Sequence, residues 1–316
     1  MIEQKIYNEI KKIFPLNAVE LLVLNQMNEV LMVKRENEPA KNKWWIPGGR
    51  VWFAEGREDA VKRLLKNECG IDKYILHESE MFEYAVKNHS ENYQQHIIST
   101  VYKVKISGYE IRLDSQSSGY KWKPASEWIK DAEHDFLLKV LNGFKADEIF
   151  LHEEKFNSSG NEFIRNDLYS TILNSLPIPC VDLLVKDEND KILLVKRKNE
   201  PAQNEWWVPG GRVLFGEKRA DTAKRKLKEE CSLEGDNYKM IGNFEFVYKI
   251  APEKIIHNIS TLYSVDAAPG NTAVDEQSYG FDWRTAEEWL KEPMHEFMID
   301  VLKYKSTDGK IQKRYY

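Results

Sequence analysis

Cysteine is scarce in this chain: three residues in 316, Cys69, Cys180 and Cys231. An odd count without metal-ligand spacing excludes both an even-numbered disulfide framework and a zinc site built on cysteine. Cys69 and Cys231 fall at equivalent points of an internal repeat, which suits small buried apolar groups. Positive charge is not in excess either. The balance of 46 Lys and Arg against 51 Asp and Glu gives a net charge of −5, so no general field attracts nucleic acid, and a polyanionic ligand needs locally placed Arg or Lys. No apolar run approaches the roughly 18 residues of a membrane span. The opening "MIEQKIYNEI" has no apolar h-region of a signal peptide. The expectation is a protein of the reducing cytoplasm, with no nucleic-acid partner and no membrane.

Aromatic residues are plentiful: 9 Trp, 15 Tyr and 13 Phe within a 42% hydrophobic composition, enough to fill cores. The length suits two domains of about 150 residues rather than one. The sequence itself says why. "NEPAKNKWWIPGGRV" starts at Asn37, and "NEPAQNEWWVPGGRV" starts 162 positions later at Asn199. The repeat extends in both directions. "AVELLVL" answers "CVDLLVK", "FEYAV" answers "FEFVY", and "HIISTVY" answers "HNISTLY". "DSQSSGYKW" answers "DEQSYGFDW", and "SEWIKDAEHDFLLKVL" answers "EEWLKEPMHEFMIDVL". The offset is 162 as far as Phe82/Phe244 and 161 from His96/His257 onward, so one residue is missing from the second copy's intervening loop. A period this long marks a duplicated domain, not a solenoid. The boundary falls in the polar stretch 152–162, giving domains 1–155 and 156–316.

Each copy reads as a short lead-in helix, β-branched strand segments, one central helix and a closing helix, from Ser126 in the first copy and Ala286 in the second. In "REDAVKRLLKNEC" the apolar positions Ala60, Val61, Leu64 and Leu65 keep helical period, and Gly70 follows as a C-terminal stop. "RADTAKRKLKEEC" repeats the pattern. The fold class is therefore α/β (α+β), with a helix on a sheet in each copy.

The chemistry-bearing spacing follows the double glycine. In the first copy Gly49 precedes Glu55, Arg63, Glu68 and Gly70; in the second Gly211 precedes Glu217, Arg225, Glu229 and Glu230, with Ser232 where the glycine stood. A Pro-Gly-Gly turn lets the backbone approach a ligand closely. At 3.6 residues per turn, positions 64, 67 and 68 share a helix face, where carboxylates can hold a metal ion that bridges diphosphate oxygens.

This pattern resembles the Nudix box, twice at one period. The abbreviated first box, with Arg63-Leu64 and the single carboxylate Glu68, is similar to that of the GDP-mannose mannosyl hydrolases, over nearly the whole of each copy. The resemblance implies two tandem α/β/α sandwich domains with mixed sheets and a Mg²⁺ cofactor, with Mn²⁺ as the alternative. It also implies a small nucleotide substrate and an intramolecular pseudo-dimer imitating a two-fold homodimer. Carried over residue by residue, Gly49, Glu68 and Gln116 in the first copy and Gly211, Glu230 and Gln277 in the second match metal ligands. Arg35 and Arg197 match a diphosphate-binding arginine, Glu20 and Asp182 an acidic residue of the active site, and Tyr102 and Tyr263 an active-site tyrosine. Arg50, Arg212, Arg63 and Arg225 match substrate-binding arginines, whose planar forks suit phosphate oxygens.

Where the mannosyl hydrolases carry a His after the metal-binding Gln, this chain has Ser117 and Ser278. Loss of a general base typically costs about 10²–10⁴-fold. His96, His257 and Glu229 are open as replacements. For each singled-out residue a bland role stands beside the sharp one. Glu55 and Arg63 could clamp loop to helix, His96 and His257 could be structural strand residues, and His134 and His295 could be partner-bonded. Lys226, three and four residues before Glu229 and Glu230, could pair with them. Two functions therefore compete: a Mg²⁺-dependent hydrolase of a nucleoside diphosphate linked to another moiety, a sugar above all, and a nucleotide-sugar binding or regulatory module with little turnover.

Overall fold

In the computed structural model the described residues are 2–108, 110–132, 134–143, 150–151, 164–200, 202–251, 254–304 and 311–315. They form a mixed α+β structure with one eight-stranded sheet per repeat. Contacts divide the chain into two units, Met1–Leu176 and Pro177–Tyr316. The expected boundary at 152–162 lies outside the described residues.

The first unit runs α1 (Gln4–Ile10), β1 (Leu16–Leu24), β2 (Val30–Arg35), β3 (Trp44–Trp45), β4 (Gly48–Arg50), α2 (Arg57–Cys69), β5 (Ile75–Asn88), β6 (Tyr93–Lys105), β7 (Ser117–Lys123), α3 (Ala125–Asp131), α4 (Asp135–Leu141) and β8 (Phe150–Leu151). The apolar run of β1 is buried along its whole length, as a central strand covered on both faces must be. It pairs in parallel with β6, from Leu16↔Ile97 to Leu24↔Lys105, and antiparallel with β4, where Glu20 faces Gly48. Gly-Gly-Arg, expected as a turn, is thus a short strand laid on β1. Only glycine fits at 48, because a Cβ there would overlap the Val19 carbonyl oxygen and Glu20 Oε2.

Helix α2 buries Ala60, Val61, Leu64, Leu65 and Cys69 on one face and ends at Gly70, whose φ of 70° is the left-handed conformation that closes a helix. The closing helix expected from Ser126 is in fact two short ones. His134 caps the second, its Nδ1 accepting the Phe136 N–H at 3.2 Å while Nε2 pairs with the Ala85 carbonyl at 3.2 Å. An unpaired helix start demands such an acceptor, and it breaks the helix that periodicity alone would continue.

The second unit repeats this order. After α5 (Asn166–Leu173), which goes with the first unit, come β9 (Ile178–Lys186), β10 (Ile192–Arg197), β11 (Trp206–Trp207), β12 (Gly210–Arg212), α6 (Arg219–Cys231), β13 (Asp236–Ala251), β14 (Lys254–Asp266), β15 (Ser278–Arg284), α7 (Ala286–Trp289), α8 (Glu296–Leu302) and β16 (Ile311–Tyr315). The sheet orders correspond strand for strand. So do single bonds: the indole of Trp128 donates to the Val30 carbonyl at 3.0 Å, and that of Trp289 to the Ile192 carbonyl at 2.9 Å. His295 caps α8 as His134 caps α4. One corner differs. Ser232 takes the left-handed position after α6, with φ 57°, where the first unit has Gly70.

Candidate functional site

In the first unit a cavity of about 600 Å³ opens beside β1, β4 and the end of α2. Side chains alternate along β1, so Leu16, Ala18 and Glu20 share the cavity side. Glu20 is 6% exposed. Its Oε1 accepts the Tyr84 hydroxyl at 2.8 Å, and its Oε2 has no hydrogen-bond partner among the described residues. Burial pushes its pKa to about 8, against the opposing Tyr84 bond and Arg35 charge, with Glu68 adding to the rise.

Glu68, near the end of α2, reaches the same wall. Its Oε2 accepts the Gly48 N–H at 3.1 Å. Burial raises its pKa to about 7; the Gly48 bond opposes this, the Asp114 charge reinforces it, and Arg35 and Arg63 counter it. Arg35, at the end of β2, lines the cavity and donates Nε–H to the Pro39 carbonyl at 2.9 Å. Arg50 lies over the Tyr7 ring of α1, 4.3 Å from its centroid, and also lines the cavity. Gln116 stands at the rim, its side-chain amide donating to Asp114 Oδ2 at 2.8 Å. Gly49, Glu20, Glu68, Arg35, Arg50, Gln116 and Ser117 are thus brought together.

Other expected residues go elsewhere. Tyr102 pairs with Leu21 across β1 and β6, so it lies on the sheet face opposite Glu20. Tyr263, paired with Leu183, is its counterpart. Strand register thus places these two tyrosines on the face away from Glu20 and Asp182, and Tyr84 is the tyrosine bonded to the first-unit carboxylate. Its signal was present in "FEYAV", but only knowledge of β5's register picks it out. His96 is also on the far face, fully buried, with Nε2 2.8 Å from Glu83 Oε1. His257 and Glu245 repeat the pair at 3.2 Å. Neither histidine faces the cavity.

Arg63 and Arg225 bind the glycine loop. Arg63 donates to both Glu55 oxygens, at 2.6 and 2.7 Å, and to the Arg50 carbonyl at 2.9 Å, while lying 3.8 Å from the Trp52 ring centroid. Arg225 grips Glu217 at 2.7 and 2.8 Å and the Arg212 carbonyl at 3.2 Å. Both hold the glycine loop to the helix, and Arg63 also lines the first-unit cavity.

The second unit keeps the frame and alters the contents. Glu230 Oε2 accepts the Gly210 N–H at 3.1 Å, as Glu68 accepts that of Gly48. Asp182 is held by the Ser260 hydroxyl in place of a tyrosine, and burial raises its pKa to about 6 against Ser260 and Arg197. Phe246 stands where Tyr84 stood. Gln277 is bonded to Asp275 as Gln116 is to Asp114. Glu229, considered as a base, is about half exposed and bound by Arg225 at 3.0 Å and Lys226 at 3.2 Å. The space beside Asp182, Arg197, Gly210 and Gly211 is only about 140 Å³. Arg212 lies outside its lining.

The residues of the first unit fit a divalent cation. Two buried carboxylates face one glycine strand, one with an orphaned oxygen, and burial makes both hold protons more tightly than usual. Glu68, the Gly49 carbonyl and Gln116 are the groups that would hold it. Among the described residues no cluster of three or more His, Cys, Asp or Glu gathers around a point, so backbone and amide oxygens would have to complete the donor set.

Comparison with known proteins agrees with the repeat. The NUDIX domain matches residues 15–141 and again 176–304. The low-salt glycan biosynthesis protein Agl8 of Haloferax volcanii is 32% identical over 117 residues, 36% of this chain and 74% of that protein. The ADP-ribose pyrophosphatase of Methanocaldococcus jannaschii is 30% identical over 118 residues, 37% of this chain and 68% of that protein. A MutT NUDIX hydrolase structure from Burkholderia pseudomallei is 22% identical with a TM-score of 0.36, covering 40% of this chain and 96% of that one. Matched twice over most of its length, at the period of its own repeat, the chain belongs to the NUDIX domain family and carries that domain in tandem.

Proposed function

We propose that the chain is a Mg²⁺-dependent hydrolase of a nucleoside diphosphate linked to another moiety, a nucleotide sugar such as GDP-mannose above all. The observation that carries this reading is the first-unit cavity, which gathers Glu20, Glu68, Arg35 and Arg50 in about 600 Å³, a volume suited to a nucleotide-sized ligand. The relatives' names agree in kind, since ADP-ribose is itself a nucleoside diphosphate joined to a sugar.

In this reading bound Mg²⁺ supplies charge neutralisation at the diphosphate oxygens. Arg35 and Arg50 bind and orient the diphosphate. The Arg63–Glu55 clamp fixes the loop that carries Gly49 and Arg50. Glu20, with Oε1 held by Tyr84 and Oε2 unpartnered, takes the proton of the attacking water, a task left vacant by Ser117 and served by a pKa raised to about 8.

The test is a ³¹P NMR time course with Mg²⁺ and a set of nucleotide sugars, GDP-mannose included. A nucleoside diphosphate product means cleavage at the sugar carbon. A nucleoside monophosphate with a sugar phosphate means attack at phosphorus. No product over hours, with ligand bound, moves the assignment to a binding module.

That second reading is favoured for the second unit by its small cavity and altered carboxylate surroundings. A repeat boundary at 155/156, an intramolecular pseudo-dimer and a cytoplasmic setting belong to the same proposal and rest on the duplication, the repeat's two lead-in helices and the three free cysteines. Among the described residues no helix is long and apolar enough to cross a membrane. A scattering envelope of two separated beads overturns the pseudo-dimer.

A further inference from the structure

The two units differ at one helix position beside the glycine strand. Leu64 of α2 packs on the glycine strand, its Cδ2 3.0 Å from where a Gly49 Cβ would stand. The equivalent of α6 is Lys226, whose stem occupies the same place: its Cε would be 2.5 Å and its Nζ 3.1 Å from a Gly211 Cβ. The stem therefore does leucine's packing, and the chain end goes further. Nζ lies 3.2 Å from Glu230 Oε1 and 3.2 Å from Glu229 Oε2, and the side chain is only 14% exposed.

These bonds complete an alternating row of charges: Glu217, Arg225, Glu229, Lys226, Glu230. Among the described residues the first unit has the Glu55–Arg63 end of that row, and Asn67 and Leu64 stand at the next two positions. Glu68 consequently has no ammonium beside it, whereas both oxygens of Glu230 are taken, one by Lys226 and one by the Gly210 N–H. A divalent ion on Glu230 would lie a few Å from a fixed positive charge in a poorly solvated place, where like charges repel strongly. The cavity beside Gly210 and Gly211 is also small, about 140 Å³.

We infer that Lys226 is a built-in replacement for the divalent metal of the second unit, so that the chain holds one catalytic-type metal ion, in the first unit, and the second is a metal-independent site. The residues of the second unit do not fit the metal that its family membership implies, and no reaction step is assigned to it there. The first half of the inference rests on the proposed function of the first unit; the second half does not.

The test is direct binding of Mn²⁺ to the full chain, read by electron paramagnetic resonance of the free ion, without any turnover assay. The expected result is one ion per chain in the wild type, lost in Glu68→Gln and kept in Glu230→Gln. Lys226→Leu, which installs the residue of the first unit, gains a second ion at least about 100-fold tighter than the wild-type second unit binds it, given the removal of a nearby like charge. That second ion disappears when Glu230→Gln is added. Lys226→Met, which keeps the length of the stem, gives the same gain if the leucine variant folds poorly. A wild-type ion that Glu230→Gln removes overturns the inference, as does an unchanged count in both Lys226 variants. A wild type that binds no ion, with a Glu230-dependent ion gained in Lys226→Leu, leaves Lys226 as the replacement cation and instead removes the metal from the first-unit reading.

Discussion

Tyr84 donates its phenol proton to Glu20 Oε1 at 2.8 Å, and this bond orients the buried carboxylate. Strand register creates the pair: Tyr84 on β5 stands opposite Ile97 of β6, which in turn stands opposite Leu16 on the same face of β1 as Glu20. In the second unit Phe246 replaces Tyr84, and Ser260 holds the shorter Asp182 instead. Tyr84→Phe strips Glu20 Oε1 of its phenol donor at nearly constant volume. The expected cost is about 1–3 kcal/mol of first-unit stability, the usual penalty for a buried acceptor stripped of its donor. Turnover falls through kcat, since Glu20 loses the bond that orients it. Urea denaturation and steady-state kinetics check both, and an unchanged kcat sinks the orienting role.

Stability should depend on pH in a direction opposite to that of most carboxylate-rich proteins. The Glu20 pKa is about 8 in the folded chain against an ordinary 4.5, and that of Glu68 about 7. Between the unfolded and folded values the native state holds protons that the unfolded chain has released. Stability therefore falls as pH rises, from about 4.5 up to about 8. Asp182, raised to about 6, adds to the lower part of that window. The urea midpoint in chelator should drop from pH 5 to pH 8, and Glu20→Gln should flatten the curve, because an amide does not titrate. A midpoint that rises over this range rules the assignment out.

The sequence alone yields the duplication, the central helix with its glycine stop and the placing of Glu20, Glu68, Arg35 and Gln116 at one site. Those features are local or repeated, and a repeat doubles every local signal. What escapes is set by contacts distant in sequence. Tyr102 and Tyr84 look equally eligible until the pairing of β6 with β1 puts one on each face. The split of the last helix depends on His134 finding both Phe136 N–H and the Ala85 carbonyl, 49 residues away in the chain. Lys226 was legible as a neighbour of Glu229 and Glu230 by helical spacing; that its ammonium lies against the glycine strand was not.

Ser232 offers a simple stabilising change. It sits at φ 57° at the end of α6, where a side chain crowds the backbone, while Gly70 does the same task at φ 70° in the first unit without a Cβ. Ser232→Gly should raise the stability of the second unit by up to about 1 kcal/mol, the left-handed penalty less the extra freedom glycine gives the unfolded chain. The reverse change, Gly70→Ser, should destabilise, since its Cβ would also meet Arg112 Cβ at 3.0 Å. Differential scanning calorimetry of the pair decides the matter, and equal shifts of one sign would count against it.

Arg63 separates a clamp from a phosphate hand. Its guanidinium satisfies Glu55 twice and the Arg50 carbonyl once, with both side chains of the ion pair largely shielded: 16% exposed for Arg63 and 13% for Glu55. Lysine keeps the charge but cannot make three directed bonds from one plane. If the residue served by gripping diphosphate, Arg63→Lys would raise KM and leave the fold as stable as before. As a clamp it behaves otherwise. The variant should lose about 1–3 kcal/mol, since hydrogen bonds to charged groups are broken in a shielded place. It should also lower kcat, because the loop bearing Gly49 and Arg50 is no longer held to α2. Arg225→Lys in the second unit should cost similar stability with no effect on turnover, because that unit's helix lies outside the proposed reaction. A loss of stability in both variants together with a loss of kcat in only the first is the pattern that the two clamps and the single working site require.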